Sequence, residues 1–200
     1  PILTYGLIGI LEVSFGITTN LTLIELLDFQ QPLLKRLQKE ANGTFNHCVV
    51  VGNLAEACAD AIGANSLLCR VGAYYHDIGK MLRPEYYIEN QYGGENKHDK
   101  LTPVMSAKII KSHVSDGLIL AKEYSLPSIV SDFIPMHHGT TRVEYFYRKA
   151  IEEEKNVDED QFRYSGPKPN TKETGILMIC EAIEAGIRSI KDPDLIKIDD

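Results

Sequence analysis

The chain has 200 residues, of which 44% are hydrophobic, and its formal net charge is −7 at pH 7. This length and composition suit a single globular domain with a sizeable core. The negative charge argues against a protein that binds nucleic acid polymers, although metal ions could still attract a small nucleotide. No Cys-x-x-Cys spacing occurs, which favours buried thiols in a reducing compartment over a zinc site for the four cysteines, Cys48, Cys58, Cys69 and Cys180.

The N-terminal part of the chain predicts short elements that precede the main domain. Residues 2–17 form a mostly apolar stretch that contains Glu12 and is too short for a full membrane span. On composition alone, this stretch is an ordinary amphipathic or buried segment. Short helices are predicted over residues 21–28 and 33–40, and Thr44 is predicted to cap the next helix.

Two helices follow, over residues 45–62 and 66–77. His47 lies on an inward stripe of the first, where a histidine is more often a core residue than a metal ligand. The second ends in adjacent His76 and Asp77, whose side chains point about 100° apart on a helix. This pair could bind one metal ion from two directions or bridge two ions. Gly79 then permits close backbone approach, and Lys80 places a cation at the mouth of the site.

The middle of the chain predicts a long irregular loop between helices. Residues 81–101 form this loop, in which His98 is interpreted as a solvated histidine. A helix over residues 103–124 carries His113 on an inward stripe. The next helix, over residues 127–137, ends at the adjacent pair His137 and His138, which could serve two metal ions or one ion and a phosphate.

The C-terminal part predicts two more helices and completes an all-α pattern. The helix over residues 143–154 carries Tyr145, Phe146 and Tyr147, which suit core packing or the stacking of an adenine base. A loop near residues 163–169 carries the cations Arg163 and Lys168. The last helix, over residues 171–190, encloses glutamates in an apolar run, where an unpaired carboxylate is costly. No strand pattern is visible.

The histidines carry a family resemblance. All six lie between His47 and His138, and their order, with the His76-Asp77 pair, resembles the HD-domain metal-dependent phosphohydrolases. Several segments are more specific and resemble the cytoplasmic HD domain of the seven-transmembrane HD receptors, over roughly residues 15–193. These segments are GTFNHCVVVGNLAEACADAIGAN, RVGAYYHDIGK, YYIENQ, HHGTTRVEYFYRKA and YSGPKPNTKETGILM.

The resemblance implies an all-α HD-domain helical bundle with a binuclear metal site. Asp77 would bridge two divalent ions, Mn²⁺ or Fe²⁺ by preference, with Zn²⁺ possible. His47 and His76 would serve one ion, and the second would be bound by His113, His137 and His138. The family's last ligand is an aspartate in the final helix, and this chain has Glu181 there. Its longer arm is either accommodated by the site or weakens one ion.

The seven-transmembrane HD receptors are cyclic di-AMP phosphodiesterases, so the resemblance implies hydrolysis of this cyclic dinucleotide to linear pApA. Asp77 and Lys80 would act in catalysis, and the expected substrate contacts are Lys80, Thr140, Thr141, Tyr145, Arg163 and Lys168. Residues 1–20 would be the tail of the last transmembrane helix and a linker. Residues 21–200 would be the HD domain, a membrane-tethered cytoplasmic part of a bacterial inner-membrane protein.

Two alternatives stay open. One is an HD phosphohydrolase that acts on another nucleotide, including cyclic di-GMP. The guanine-directed relatives carry a Gly-Tyr-Pro motif after the second histidine group, and this chain has none. The other is a non-catalytic nucleotide-sensing module whose metal site is weakened at Glu181.

Overall fold

The computed structural model describes residues 7–189 apart from residues 8, 10, 13, 92, 94, 154 and 155. Much of the N-terminal stretch predicted as a membrane-proximal tail, and the chain after residue 189, therefore lie outside the described residues. None of the described helices combines the length and the apolar character needed to cross a membrane.

The described part of the chain is helical and contains no named strand. Its α-helices are α1 (Asn20–Leu26), α2 (Pro32–Glu40), α3 (Asn42–Ile62), α4 (Ser66–Tyr75), α5 (Pro103–Glu123), α6 (Ser128–Ser131), α7 (Phe133–Met136), α8 (Glu144–Glu153) and α9 (Lys172–Ser189). Short 3₁₀ helices lie at Ile78–Leu82, Pro84–Tyr86, Ile88–Asn90, Lys97–Lys100 and Glu159–Phe162. This architecture confirms the all-α prediction.

Helix ends follow from local sequence. Gly63 ends α3 in the left-handed conformation, with φ of 64°, which a glycine adopts without steric cost. The Asn65 side chain then accepts a hydrogen bond from the Leu68 amide and caps α4. These two signals fix the tight reversal that packs α4 against α3.

The main core lies between α2, α3, α4, α7 and α9. Its largest fully buried apolar side chains include Leu34, Leu37, Val51, Tyr75, Phe133 and Leu177. A smaller core forms under α8, from Ala107, Phe146, Ala150 and Phe162. As predicted, the four cysteines lie in helices, and all are free thiols. The two cores hold α3, α4, α5, α7 and α9 in fixed positions around one buried polar centre.

Three local predictions were wrong. Residues 127–137 form α6 and α7 rather than one helix, because Pro135 has no amide hydrogen to bond the Ser131 carbonyl in a continuous helix. Thr44 does not cap α3. It is buried inside the helix, and its amide donates to Asn90 Oδ1 at 3.0 Å. The segment 81–101, predicted as an irregular loop, contains three of the 3₁₀ helices and the end of a fourth.

His98 was also wrongly predicted to be solvated. It is buried at 6% exposure, and its ring packs 4.8 Å from Phe146 and 5.3 Å from Tyr86 between ring centroids. Its Nε2 lies 2.9 Å from the Tyr86 carbonyl oxygen. The charged neighbours Lys97 and Asp99 suggested solvent, but aromatic packing across the chain determines the burial.

Gly79 marks the closest approach between two elements near the centre. A Cβ added there would lie 1.9 Å from the His113 carbonyl oxygen and 2.5 Å from the Gly117 amide nitrogen. We expect Gly79→Ala to lower the free energy of unfolding by about 3 kcal/mol, because backbone atoms of α5 must move. Urea denaturation followed by circular dichroism measures this.

Gly175→Ala in α9 is the matched control. An added Cβ there meets nothing within 4 Å, so helix propensity predicts a change of at most about 1 kcal/mol, towards greater stability. Equal unfolding midpoints for Gly79→Ala and the wild type would show that the contact between Gly79 and α5 is not tight.

Candidate metal centre

Four side chains from three helical elements form the first group of candidate ligands. His47 comes from α3, His76 and Asp77 from the end of α4, and Glu181 from α9. All four are buried, and each offers one ligand atom within 4.8 Å of the others. Glu181 Oε2 lies 3.0 Å from His47 Nε2 and 3.4 Å from His76 Nε2.

Three histidines form the second group. His113 of α5 joins His137 and His138 at the end of α7, again with ligand atoms within 4.8 Å of one another. The Nε2 atoms of His113 and His137 are 3.2 Å apart. His113 and His137 are buried, whereas His138 is half-buried and borders the cavity beside the site.

Asp77 lies between the two groups and faces both. Its Oδ2 is 3.5 Å from His47 Nε2 and 3.2 Å from His76 Nε2. Its Oδ1 is 3.4 Å from His113 Nε2 and 3.6 Å from His137 Nε2. One fully buried carboxylate thus directs one oxygen at each group, the arrangement that a bridging ligand needs.

Backbone carbonyls orient three of the imidazoles. Nδ1 of His76, His113 and His137 lies 2.6–2.7 Å from the carbonyl oxygens of Ala73, Ile110 and Ile134, respectively. A proton on Nδ1 that donates to such a carbonyl leaves the Nε2 lone pair free, which is the form that binds metal ions. In all three rings Nε2 points into the centre.

Several buried polar atoms in the centre have no hydrogen-bond partner in the part of the chain that the structure describes. They include His47 Nε2, His76 Nε2, Asp77 Oδ1 and Glu181 Oε2. Leaving such atoms unsatisfied is costly, and a cation among them would satisfy these four. Imidazole nitrogens and carboxylate oxygens are ligands that first-row divalent metal ions bind. The residues present therefore fit a metal centre.

Electrostatics in the second group favours neutral imidazoles. Burial lowers the pKa of His137 to about 3, and the neighbouring His76 and His113 add to the effect. Burial likewise lowers the pKa of His113, and it lowers that of His138 with a contribution from His137. Neutral imidazole is the ligating form.

The carboxylates are charged. Burial acts to raise the pKa of Asp77, but Lys80 and His76 outweigh it and hold that pKa well below its usual range. Burial also opposes ionisation of Glu181, and His47 and His76 again lower its pKa well below the usual value. Burial opposes protonation of His47 and His76, but Glu181 and Glu184 raise the pKa of His47 and Asp77 raises that of His76. A bound cation would take the place of the protons that this excess of negative charge attracts.

A cavity of about 450 Å³ opens beside the centre. Lys80, Glu89, His113 and His138 line its polar side. Its other walls are mainly aromatic and apolar, and include Tyr86, Tyr87, Ile88, Tyr145, Phe146 and Tyr164. The Tyr164 ring stacks on His138 with centroids 4.1 Å apart and planes at 20°. The candidate metal centre therefore lies beside an aromatic cavity that is large enough for a small organic ligand.

Comparison with known proteins assigns the fold to a family. A family model for the HD domain matches residues 44–186. The chain belongs to the HD-domain family. The cyclic-di-AMP phosphodiesterase PgpH of Listeria monocytogenes is 51% identical over 197 residues, or 98% of this chain. PgpH of Bacillus subtilis is 45% identical over 193 residues, or 96% of this chain. The chain spans 27% of the length of each of these relatives.

A crystal structure agrees with this assignment. The HD domain of L. monocytogenes PgpH in complex with cyclic-di-AMP superposes with a TM-score of 0.82 at 53% identity, covering 86% of this chain and 80% of that chain. These findings confirm the predicted family resemblance and the all-α HD fold.

In this HD domain, the residues expected to contact substrate are divided between two regions. Lys80 and Tyr145 line the cavity, and Tyr145 is 71% exposed. Lys80 Nζ lies 2.7 Å from Asp77 Oδ2 and 2.9 Å from Glu89 Oε1. These two carboxylates raise the Lys80 pKa well above its usual value although burial opposes this. Lys80 thus stays a cation at the cavity wall.

The other expected substrate residues are not among those that line the cavity. The Thr141 hydroxyl donates to the His138 carbonyl at 2.7 Å. The Arg163 guanidinium donates to the Thr140 carbonyl at 3.0 Å and pairs with Glu159. Lys168 is exposed on the following loop. The contacts of Thr140, Thr141 and Arg163 stabilise the turn after His138. A substrate contact from any of these three residues, or from Lys168, stays a prediction.

Sequence reasoning missed several cavity residues. Tyr86 and Glu89 lie in neighbouring 3₁₀ helices, with Tyr87 between them, in the range predicted as an irregular loop. Tyr164 follows the last 3₁₀ helix. The segment YYIENQ was noted only for its resemblance. Its two adjacent tyrosines and its one glutamate were the signal that could have placed it at the site.

Proposed function

We propose that this HD domain is a metal-dependent phosphodiesterase that hydrolyses cyclic di-AMP to pApA. The observation that carries the proposal is the buried Asp77 carboxylate, which faces two groups of ligands beside an aromatic cavity. Support for the substrate comes from the relatives, which bear the name cyclic-di-AMP phosphodiesterase, and from the related HD domain in complex with cyclic-di-AMP.

The proposed cofactor is a pair of divalent ions, Mn²⁺ or Fe²⁺ by preference, with Zn²⁺ possible. One ion would be held by His47, His76 and Glu181, and the other by His113, His137 and His138. Asp77 would be a ligand of both ions. When bound, such ions supply Lewis-acid polarisation of a phosphate and activation of water. Neutral imidazoles with anionic carboxylates suit this role.

The protein's own side chains would bind and orient the substrate. Lys80 is a half-buried cation beside Asp77, placed to attract a phosphate oxygen or to give a proton to the leaving ribose oxygen. The aromatic walls at Tyr145, Phe146 and Tyr164 offer surfaces on which a base can stack. A ligand in the cavity would thus have its bases on aromatic surface and its phosphates near Asp77.

The larger context is also a proposal. We infer that residues 1–20 are a membrane-proximal tail and linker, and that residues 21–200 form the HD domain on the cytoplasmic side of a bacterial inner membrane. The support is the resemblance to the seven-transmembrane HD receptors and the 27% share of the relatives' length that the chain spans. The net charge of −7 supports a small nucleotide, rather than a nucleic acid polymer, as the partner.

Product analysis with two cyclic dinucleotides tests the substrate. Chelator-treated domain supplied with Mn²⁺ should convert cyclic di-AMP to pApA, and should convert cyclic di-GMP more slowly at equal concentration. The same protein kept in chelator is the control and should convert neither. Preference for cyclic di-GMP would favour a different HD hydrolase. Tight binding of cyclic di-AMP by Mn²⁺-loaded protein without turnover would favour a sensing module.

A further inference from the structure

His47 is held differently from the other imidazoles of the centre. His76, His113 and His137 each direct Nδ1 at a carbonyl oxygen of their own helical turn. Nδ1 of His47 instead faces two side chains of α9. Glu184 Oε2 lies 3.1 Å from it, and a terminal nitrogen of the Arg188 guanidinium lies 2.7 Å from it. The orientation of this ring is therefore fixed by side chains, not by the backbone.

The two neighbours require opposite states of Nδ1 when the ring is neutral. The Glu184 carboxylate can only accept, so it needs a proton on Nδ1, whereas the guanidinium can only donate and needs a bare nitrogen. A neutral ring with its proton on Nδ1 has a free lone pair on Nε2, which faces Glu181 and Asp77. The other tautomer places the proton on Nε2, where it blocks the metal.

Glu184 has one oxygen fixed and one oxygen in need of a donor. Its Oε1 accepts from Arg188 Nε at 3.1 Å, one helical turn along α9. Its Oε2 is buried and has no hydrogen-bond partner among the described residues. A proton on His47 Nδ1 is the donor that would satisfy this oxygen. Only 18% of the Glu184 side chain is exposed, so water competes weakly for the contact.

Arg188 is itself anchored at the edge of the cavity. Besides Glu184, its guanidinium lies 3.7 Å from Glu89 Oε2, and Glu89 pairs with Lys80 at 2.9 Å. Two carboxylates thus hold Arg188, and its pair with Glu184 keeps Glu184 directed at His47. This series of side-chain contacts, from Lys80 to His47, connects the cavity wall to the first group of candidate ligands.

We propose that Glu184 is a positioning residue that selects the metal-binding tautomer of His47, with Arg188 holding Glu184 in place. This inference rests on the metal-binding role proposed above and adds a residue outside the expected ligand set. Partner groups that orient ligating histidines in this way typically contribute about ten- to hundredfold in metal affinity.

Calorimetric titration of metal-free protein with Mn²⁺ tests the proposal. Glu184→Gln keeps the size of the side chain but loses the anionic acceptor, so one binding step should weaken by about ten- to hundredfold. Glu184→Asp, which keeps the charge, should recover part of that loss. The matched control is Glu40→Gln, which removes a surface pair with Arg36 of the same i,i+4 type on α2 and should leave both binding steps unchanged.

The outcomes separate the inference from the proposed function. Wild-type affinity in Glu184→Gln, with normal binding in the wild type, overturns the role of Glu184 alone. A wild-type domain that binds no ion overturns both. A second measurement needs no variant: ¹⁵N chemical shifts of Zn²⁺-loaded protein should show His47 bound to the ion through Nε2, with the proton on Nδ1. An ion bound through Nδ1, or a proton on Nε2, would contradict the proposal.

Discussion

Replacing Asp77 with asparagine should eliminate nearly all hydrolysis of cyclic di-AMP, with a loss on the order of a thousandfold. Loss of a group that merely orients a ligand costs about ten- to hundredfold, and Asp77 faces both groups of ligands directly. The amide removes the negative charge and leaves one oxygen where the centre needs two. The two groups of candidate ligands would then no longer share a bridging carboxylate.

The fold should survive this change. Asparagine has nearly the volume of aspartate, and Lys80 keeps its pair with Glu89 at 2.9 Å. Initial rates of pApA release at saturating Mn²⁺, beside circular dichroism spectra, measure both effects. Asp60→Asn, at an exposed position of α3, is the control and should have full activity. Retention of more than about a tenth of wild-type turnover in Asp77→Asn would contradict a bridging role.

Removal of the Glu181 carboxylate should weaken the first group of ligands by about a hundredfold in Mn²⁺ affinity and leave the second largely intact. Its Oε2 approaches both His47 Nε2 and His76 Nε2 within 3.4 Å. Glu181→Gln is the test variant because it preserves packing in the apolar helix. The concentration of Mn²⁺ that gives half-maximal rate measures the effect.

Glu181→Asp decides how the site accommodates a glutamate. From the sequence, a shorter side chain could improve the geometry or harm it. The distances favour harm, because the glutamate already reaches both imidazoles and one methylene fewer withdraws the carboxylate by about 1.5 Å. We therefore expect Glu181→Asp to need more Mn²⁺ than the wild type. A lower requirement would show that the longer arm strains the site.

The helices could be predicted from the sequence because their apolar stripes and end signals are local. The inward stripe that carries His47 and the end of its helix at residue 62 are examples, and the structure places both as expected. The prediction that His98 is solvated was wrong because its burial depends on Phe146, which lies 48 residues further along the chain. The prediction of a single helix over residues 127–137 was wrong because the apolar periodicity continues through this range, although Pro135 lacks the amide hydrogen that a continuous helix needs.

The candidate ligands could be predicted because the order of histidines resembles a known family, and the structure brings all seven of them together. The cavity could not. Tyr87 and Tyr164 come from separate irregular segments without periodicity, and only tertiary packing brings them into one cavity with His138. The roles of Glu184 and Arg188 could not be predicted either, because both lie far from His47 in the sequence. Arg188 is 141 residues from the imidazole that it contacts.

The most direct test of the two-ion centre is an activity titration with counted metal. Metal-free domain receives Mn²⁺ in increments, bound ions are counted per chain, and pApA release from cyclic di-AMP is measured at each step. Hydrolysis should rise with bound metal and reach its maximum when two ions are bound per chain. Full hydrolysis in the presence of excess chelator, or two bound ions with no pApA released, would contradict it.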